Sequence, residues 1–166
     1  MKGAGFLPCR ILSAEREKRS DVYFLIAGWV EGFITAYNRN APDTFDITSF
    51  ESTELLLSVM QNHCKDHPED RLYPVLNSML AQLHADRLVK ESERVQIAED
   101  ERKTLLYQET IRRIQAELKR RGLYKGEVDG SFNGATKAAL MAFQSDADLK
   151  RTGFPDQTTL WRLLRK

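Results

Sequence analysis

Cysteine and histidine are scarce in this chain, two and three among 166 residues, and that scarcity limits metal and thiol chemistry. His63-Cys64-x-x-His67 is the one stretch with ligand-like spacing. It lacks a second matching pair, His84 is remote, and adjacent side chains on one helix diverge, so no metal site is expected. Net charge is nearly missing as well, a formal +1, which excludes nothing by itself. No secretory leader is visible: the apolar run after Met1-Lys2 is too short, and Phe6-Leu-Pro-Cys9 imitates a lipoprotein box only superficially. Membrane-length apolar runs are missing too. Ser20 to Asn38 comes closest, but its glycines, Glu31 and polar flanks favour a core element, so no membrane span is expected.

What is present is asymmetry. Arg112 through Lys166 hold twelve Lys/Arg against six Asp/Glu, net +6, which leaves −5 for the rest of the chain. The basic residues are spread over helices and ends, with no helix-turn-helix spacing or aromatic platform, so no nucleic-acid partner is expected. The length suits one domain or two small ones.

The first unit, residues 1–85, reads as a helical bundle. Ser20 to Asn38 is apolar on almost every side and is expected to be its buried central helix. Thr48-x-x-Glu51 has the form of a capping box before a helix carrying Leu55, Leu56, Val59 and Met60. His67-Pro-Glu-Asp turns the chain into a helix with Leu72, Val75, Leu76, Met79, Leu80 and Leu83, and Pro74 sits in its first turn, where a missing N–H costs least. Both cysteines, Cys9 and Cys64, fall in this unit. Joined, they would close a loop of about 55 residues and stabilise it by roughly 3–5 kcal/mol in an oxidising compartment; unjoined, they are two buried thiols.

Residues 86–108 contain no glycine or proline and interleave Glu91, Glu93, Glu99, Asp100 and Glu101 with Lys90, Arg94, Arg102 and Lys103. That composition predicts a solvated helical spacer. From residue 109 onward the pattern is denser. Ile111, Ile114 and Leu118 share one face of a helix ended by Gly122; Tyr124-Lys-Gly-Glu-Val-Asp129-Gly130-Ser-Phe132 is a glycine-marked turn; Thr136, Ala139, Leu140 and Phe143 face inward from a second helix. After Thr152-Gly-Phe-Pro155, Asp156 opens a third, with Leu160, Trp161, Leu163 and Leu164.

These residues and spacings, over residues 109–166, resemble the peptidoglycan-binding domain appended to many bacterial wall enzymes and envelope proteins. The resemblance implies a three-helix module with peptidoglycan as partner, and a groove beside the turn formed by Tyr124, Asp129, Gly130, Phe132 and Thr136. Where that family commonly has an aromatic residue followed directly by glycine, this chain has Phe132-Asn133-Gly134. In the first unit Cys9, Trp29-Val-Glu-Gly32, Tyr37, the Pro42-Asp loop and Cys64-x-x-His67-Pro68 resemble, more loosely, the HdeA-like family, which includes acid-stress chaperones and Tai-type immunity proteins. That likeness implies a disulfide-linked bundle in the periplasm that binds another protein or remains a structural unit.

The combined expectation is an all-α, two-part, non-catalytic periplasmic protein without a cofactor, its leader already removed. The module anchors it to peptidoglycan and the bundle meets a second envelope protein. A wall hydrolase with an appended targeting module is the competing reading. Of the residues such chemistry needs, only Glu31 could imitate a transglycosylase acid, and a buried carboxylate satisfied by hydrogen bonds explains it equally. A third reading is an immunity protein against a wall-degrading effector.

Overall fold

Two compact units, Met1–Lys90 and Glu91–Lys166, divide the chain; the structure, a computed structural model, describes residues 2–165 of it. In the first unit, helices α1 (Cys9–Arg16), α2 (Asp21–Asn40), α3 (Thr53–Asp66) and α4 (Leu72–Leu83) surround a core of Leu12, Ile26, Leu57, Leu76 and Leu80. The disulfide between Cys9 and Cys64 is formed, with Cα atoms 4.9 Å apart. It joins the start of α1 to the last turn of α3. Backbone hydrogen bonds from Cys9 to Asp70 and from Leu72 to Leu7 pin the same corner, so the covalent link and the main chain hold one junction together. Pro74 lies in the first turn of α4, as its missing N–H requires.

Three expectations for this part of the chain need correction. Helix α2 is not buried on most sides: it hides Tyr23, Ile26 and Val30, while Leu25 is 58 % and Phe24 51 % exposed. Glu31 is likewise exposed, and its Oε1 accepts a hydrogen bond from Thr53 Oγ1 at 2.7 Å. The cap of α3 is Ser52, whose hydroxyl accepts from the Leu55 N–H. Thr48 instead donates through its N–H and hydroxyl to Asp46 Oδ1, which closes the loop after α2; serine at 52 is the better-placed cap because the apolar stripe of α3 begins just beyond it.

The expected helical spacer over 86–108 is replaced by other structure. Leu88 is buried in the first unit and exchanges backbone hydrogen bonds with Asp46. Arg94–Glu99 (β1) and Arg102–Tyr107 (β2) then form an antiparallel hairpin, with Glu99 opposite Arg102 and Arg94 opposite Tyr107. Period-two patterning wins over charge alternation here: Val95 and Ile97 turn inward while Arg94, Gln96 and Ala98 face solvent. The turn needs no glycine because Asp100 takes the left-handed conformation, φ 52°. Arg94 donates to the Tyr107 hydroxyl and lies over its ring.

Helices α5 (Gln108–Arg120), α6 (Gly134–Asp146) and α7 (Gln157–Leu164) complete the second unit. Ile111, Ile114, Leu118, Leu140, Phe143 and Leu160 supply its buried apolar faces. The residues just before β1 are tied to the start of α5: Gln108 N–H donates to the Glu93 carbonyl, and Glu109 N–H to Ser92 Oγ. Ser92 thus caps a helix that has no capping side chain of its own at Tyr107. The fold is helical, with this one small two-stranded sheet among the described residues.

Candidate functional site

The second unit is organised around two buried glutamines. Gln115, on α5, is fully buried. Its Oε1 accepts the Gly130 N–H at 2.8 Å. Its Nε2 lies 3.0 Å from Asp129 Oδ1, 3.0 Å from the Ser131 carbonyl, 3.1 Å from Thr136 Oγ1 and 3.4 Å from the Tyr124 hydroxyl. Two amide hydrogens cannot serve four acceptors at once, so the shorter contacts take them. The Tyr124 hydroxyl in turn donates to the Glu127 carbonyl. One side chain therefore pins the middle of the Tyr124 to Thr136 loop, at Asp129, Gly130 and Ser131.

Gln144, on α6, repeats the device. It accepts the Thr152 and Gly153 N–H groups at 2.9 and 2.7 Å and lies 3.1 Å from both the Phe154 carbonyl and Thr159 Oγ1. Gly130-Ser-Phe-Asn133-Gly-Ala-Thr136 and Gly153-Phe-Pro-Asp156-Gln-Thr-Thr159 are the same motif. Each has a positive-φ glycine, a cap three residues on, and a buried threonine three beyond that. Neither glutamine stands out in the sequence as an organising group, although this repeated glycine, Asn/Asp and threonine spacing is the signal that marks them.

The five expected groove residues divide by environment. Tyr124, Gly130 and Thr136 are buried, Thr136 fully. Gly130, at φ 81°, has no room for a Cβ, which would lie 2.9 Å from the Gln108 carbonyl oxygen. Asp129 is exposed and Phe132 half-buried. The Ser131 backbone N–H, at 2.8 Å, and then Gln115 hold the Asp129 carboxyl below the usual carboxylate range. Asn133 caps α6 by accepting from Ala135 and Thr136 N–H at 3.0 Å each, so the departure at this position serves the helix start.

Phe132 also lines a shallow cleft of about 260 Å³ with Asn133, Gly134 and Lys137 on one side and the β1 strand on the other. Lys137 pairs with Glu99 across it. The hairpin, read from sequence as a spacer, is a wall of this cleft. Among the described residues no group of His, Cys, Asp or Glu is placed to hold a metal ion, and no helix is long and apolar enough to cross a membrane. Cys64 is occupied by its disulfide, while His63 pairs with Asp70 and stacks on His67.

A rigid loop that presents a carboxylate and an aromatic ring beside a cleft has the chemistry of a small binding module: the ring can lie on sugar C–H groups or peptide methyls while the carboxylate and turn amides meet hydroxyls and amides. Residues 107–163 match the family model described as putative peptidoglycan binding domain. Over that third of the chain the protein is similar to peptidoglycan-binding domains, and cell-wall binding is the function the similarity supports. No curated protein and no solved structure matches the chain, and the likeness of the first unit to HdeA-like proteins gains no support from these comparisons.

Proposed function

We propose that this is a non-catalytic periplasmic protein that binds peptidoglycan through its second unit and presents its disulfide-closed first unit to another envelope protein. The match over residues 107–163 carries the first half of that reading. Within the module, Asp129 and Phe132 are the residues that touch the wall polymer, because they reach solvent; Tyr124, Gly130 and Thr136 contribute by holding the loop that carries them. The net +6 of the chain from Arg112 onward suits an anionic wall. The disulfide supports an oxidising compartment.

For the hydrolase alternative, Glu31 is the carboxylate the sequence offers. It is exposed, engaged by Thr53, and set on a shallow cleft with Glu51. Nothing there encloses a sugar bond. The test is co-sedimentation of the full chain with isolated sacculi, with soluble muropeptides measured in the same tube. The reading expects pelleting without release, and expects Phe132→Ala to reduce pelleting while the protein stays folded. Release of muropeptides would replace it with the hydrolase reading.

A further inference from the structure

The outer face of α2 is unusual for a helix with solvent on that side. Asp21, Leu25, Gly28, Gly32, Thr35 and Arg39 are all exposed and follow one another at alternating spacings of four and three, the seam period of a paired helix. Leu25 and the adjacent Phe24 are large apolar side chains standing in water. Glycine in a helix interior is unfavourable relative to alanine, yet a Cβ at Gly28 or Gly32 would meet nothing within 4 Å. Packing inside the protomer therefore has no use for these two glycines. Asp21 and Arg39, at opposite ends of the seam, form no ion pair among the described residues.

The seam is complementary to itself when one copy is reversed. Residues equally far from Val30 on either side then share a layer: Asp21 with Arg39, Leu25 with Thr35, Gly28 with Gly32. Leu25 enters a hole made by the small side of the second helix, Gly32, Thr35 and Ala36, and the two glycines let the backbones approach at the centre. A parallel pair would instead set Asp21 on Asp21 and Arg39 on Arg39. Charge and size thus select the antiparallel, two-fold arrangement, in which every contact occurs twice.

We propose that the protein is a homodimer joined through this face of α2. A dimer carries two wall-binding modules, so attachment to a polymer of repeating sites becomes bivalent and outlasts what either module achieves alone. The interface itself needs no wall component, and its test stands or falls separately from the wall-binding reading.

Sedimentation velocity of the full chain over a concentration series is the experiment. Wild type is expected to dimerise, and Leu25→Asp to be monomeric with unchanged circular dichroism. Asp21→Arg and Arg39→Asp, each alone, place like charges together twice per dimer and weaken association at least about tenfold. Mixed one to one, those two variants regain the dimer, since each then supplies the charge the other needs. A role for Asp21 and Arg39 confined to the dipole of their own helix predicts no such rescue. Should Leu25→Asp fail to fold, the two charge variants at the exposed helix ends carry the test alone. A wild type that stays monomeric, or single reversals that dimerise as well as wild type, would overturn the proposal.

Discussion

Replacing Gln115 by leucine removes the one side chain that closes the Tyr124 to Thr136 loop. The leucine fills similar space but leaves the buried Gly130 N–H without its acceptor at 2.8 Å, and removes the two amide hydrogens that serve Asp129 Oδ1 and the Ser131 carbonyl at 3.0 Å each. Asp129 keeps the Ser131 N–H and the Ser131 carbonyl keeps the Thr136 hydroxyl, so one orphaned N–H dominates. With about 1–3 kcal/mol for such a group and about 1 kcal/mol for each of the two further bonds lost, the second unit should lose roughly 3–5 kcal/mol. The two units each hold one tryptophan, Trp29 and Trp161. Urea titration in a Trp29→Phe background therefore reports the second unit through Trp161. Gln144→Leu is the matched control: it breaks the equivalent lock at Gly153 and should cost a similar amount. At a temperature where both variants are folded, only Gln115→Leu should also weaken sacculus pelleting, because only its loop carries Asp129 and Phe132. A change in stability below about 0.5 kcal/mol for Gln115→Leu, within the range of an ordinary surface substitution, would refute the argument.

Further outcomes follow from the same geometry. Gly130→Ala combines a positive φ with a Cβ 2.9 Å from the Gln108 carbonyl, and should cost the second unit about 1–3 kcal/mol by the same titration. Glu117 is held at about 2 by Arg120, which donates to it at 2.6 and 2.7 Å, and then by Arg121. A depressed carboxylate stabilises above its unfolded value near 4.5, and the gain is lost as pH falls toward 2. Much of it is screened at this partly exposed site, leaving about 1 kcal/mol, so Glu117→Gln should lower the melting temperature at pH 7 and converge with wild type near pH 2. Replacing Cys9 and Cys64 by serine should cost the first unit roughly 3–5 kcal/mol, read through Trp29, while the Trp161 transition stays in place.

The helical course of both units was legible in the sequence wherever an apolar stripe ran for three turns, as in α4 and α5, and the disulfide was legible as one of two fates for a lone cysteine pair. The hairpin was not. Its strands are six residues each, their charges alternate as on a helix surface, and its turn uses Asp100 where a glycine would have announced it. The exposed face of α2 was hidden for the opposite reason: Phe24, Leu25 and the glycines make the helix look apolar all round, and composition does not say which apolar residues a fold leaves uncovered. At the site, the turn residues Tyr124 to Thr136 announced themselves through glycine spacing. The glutamine that binds them did not, because a polar residue on the inner face of α5 reads as a gap in a hydrophobic stripe until the loop that satisfies it is seen.

Wall binding through the Tyr124 to Thr136 loop is read from the amount of full-length protein that pellets with purified sacculi, compared with its Asp129→Asn and Phe132→Ala variants, with released muropeptides followed in parallel. The wild type is expected to pellet strongly, both folded variants to lose most of that pelleting, and no muropeptides to be released. Wild-type protein that stays in the supernatant, or folded variants that pellet as it does, would show that this loop does not hold the protein on the wall.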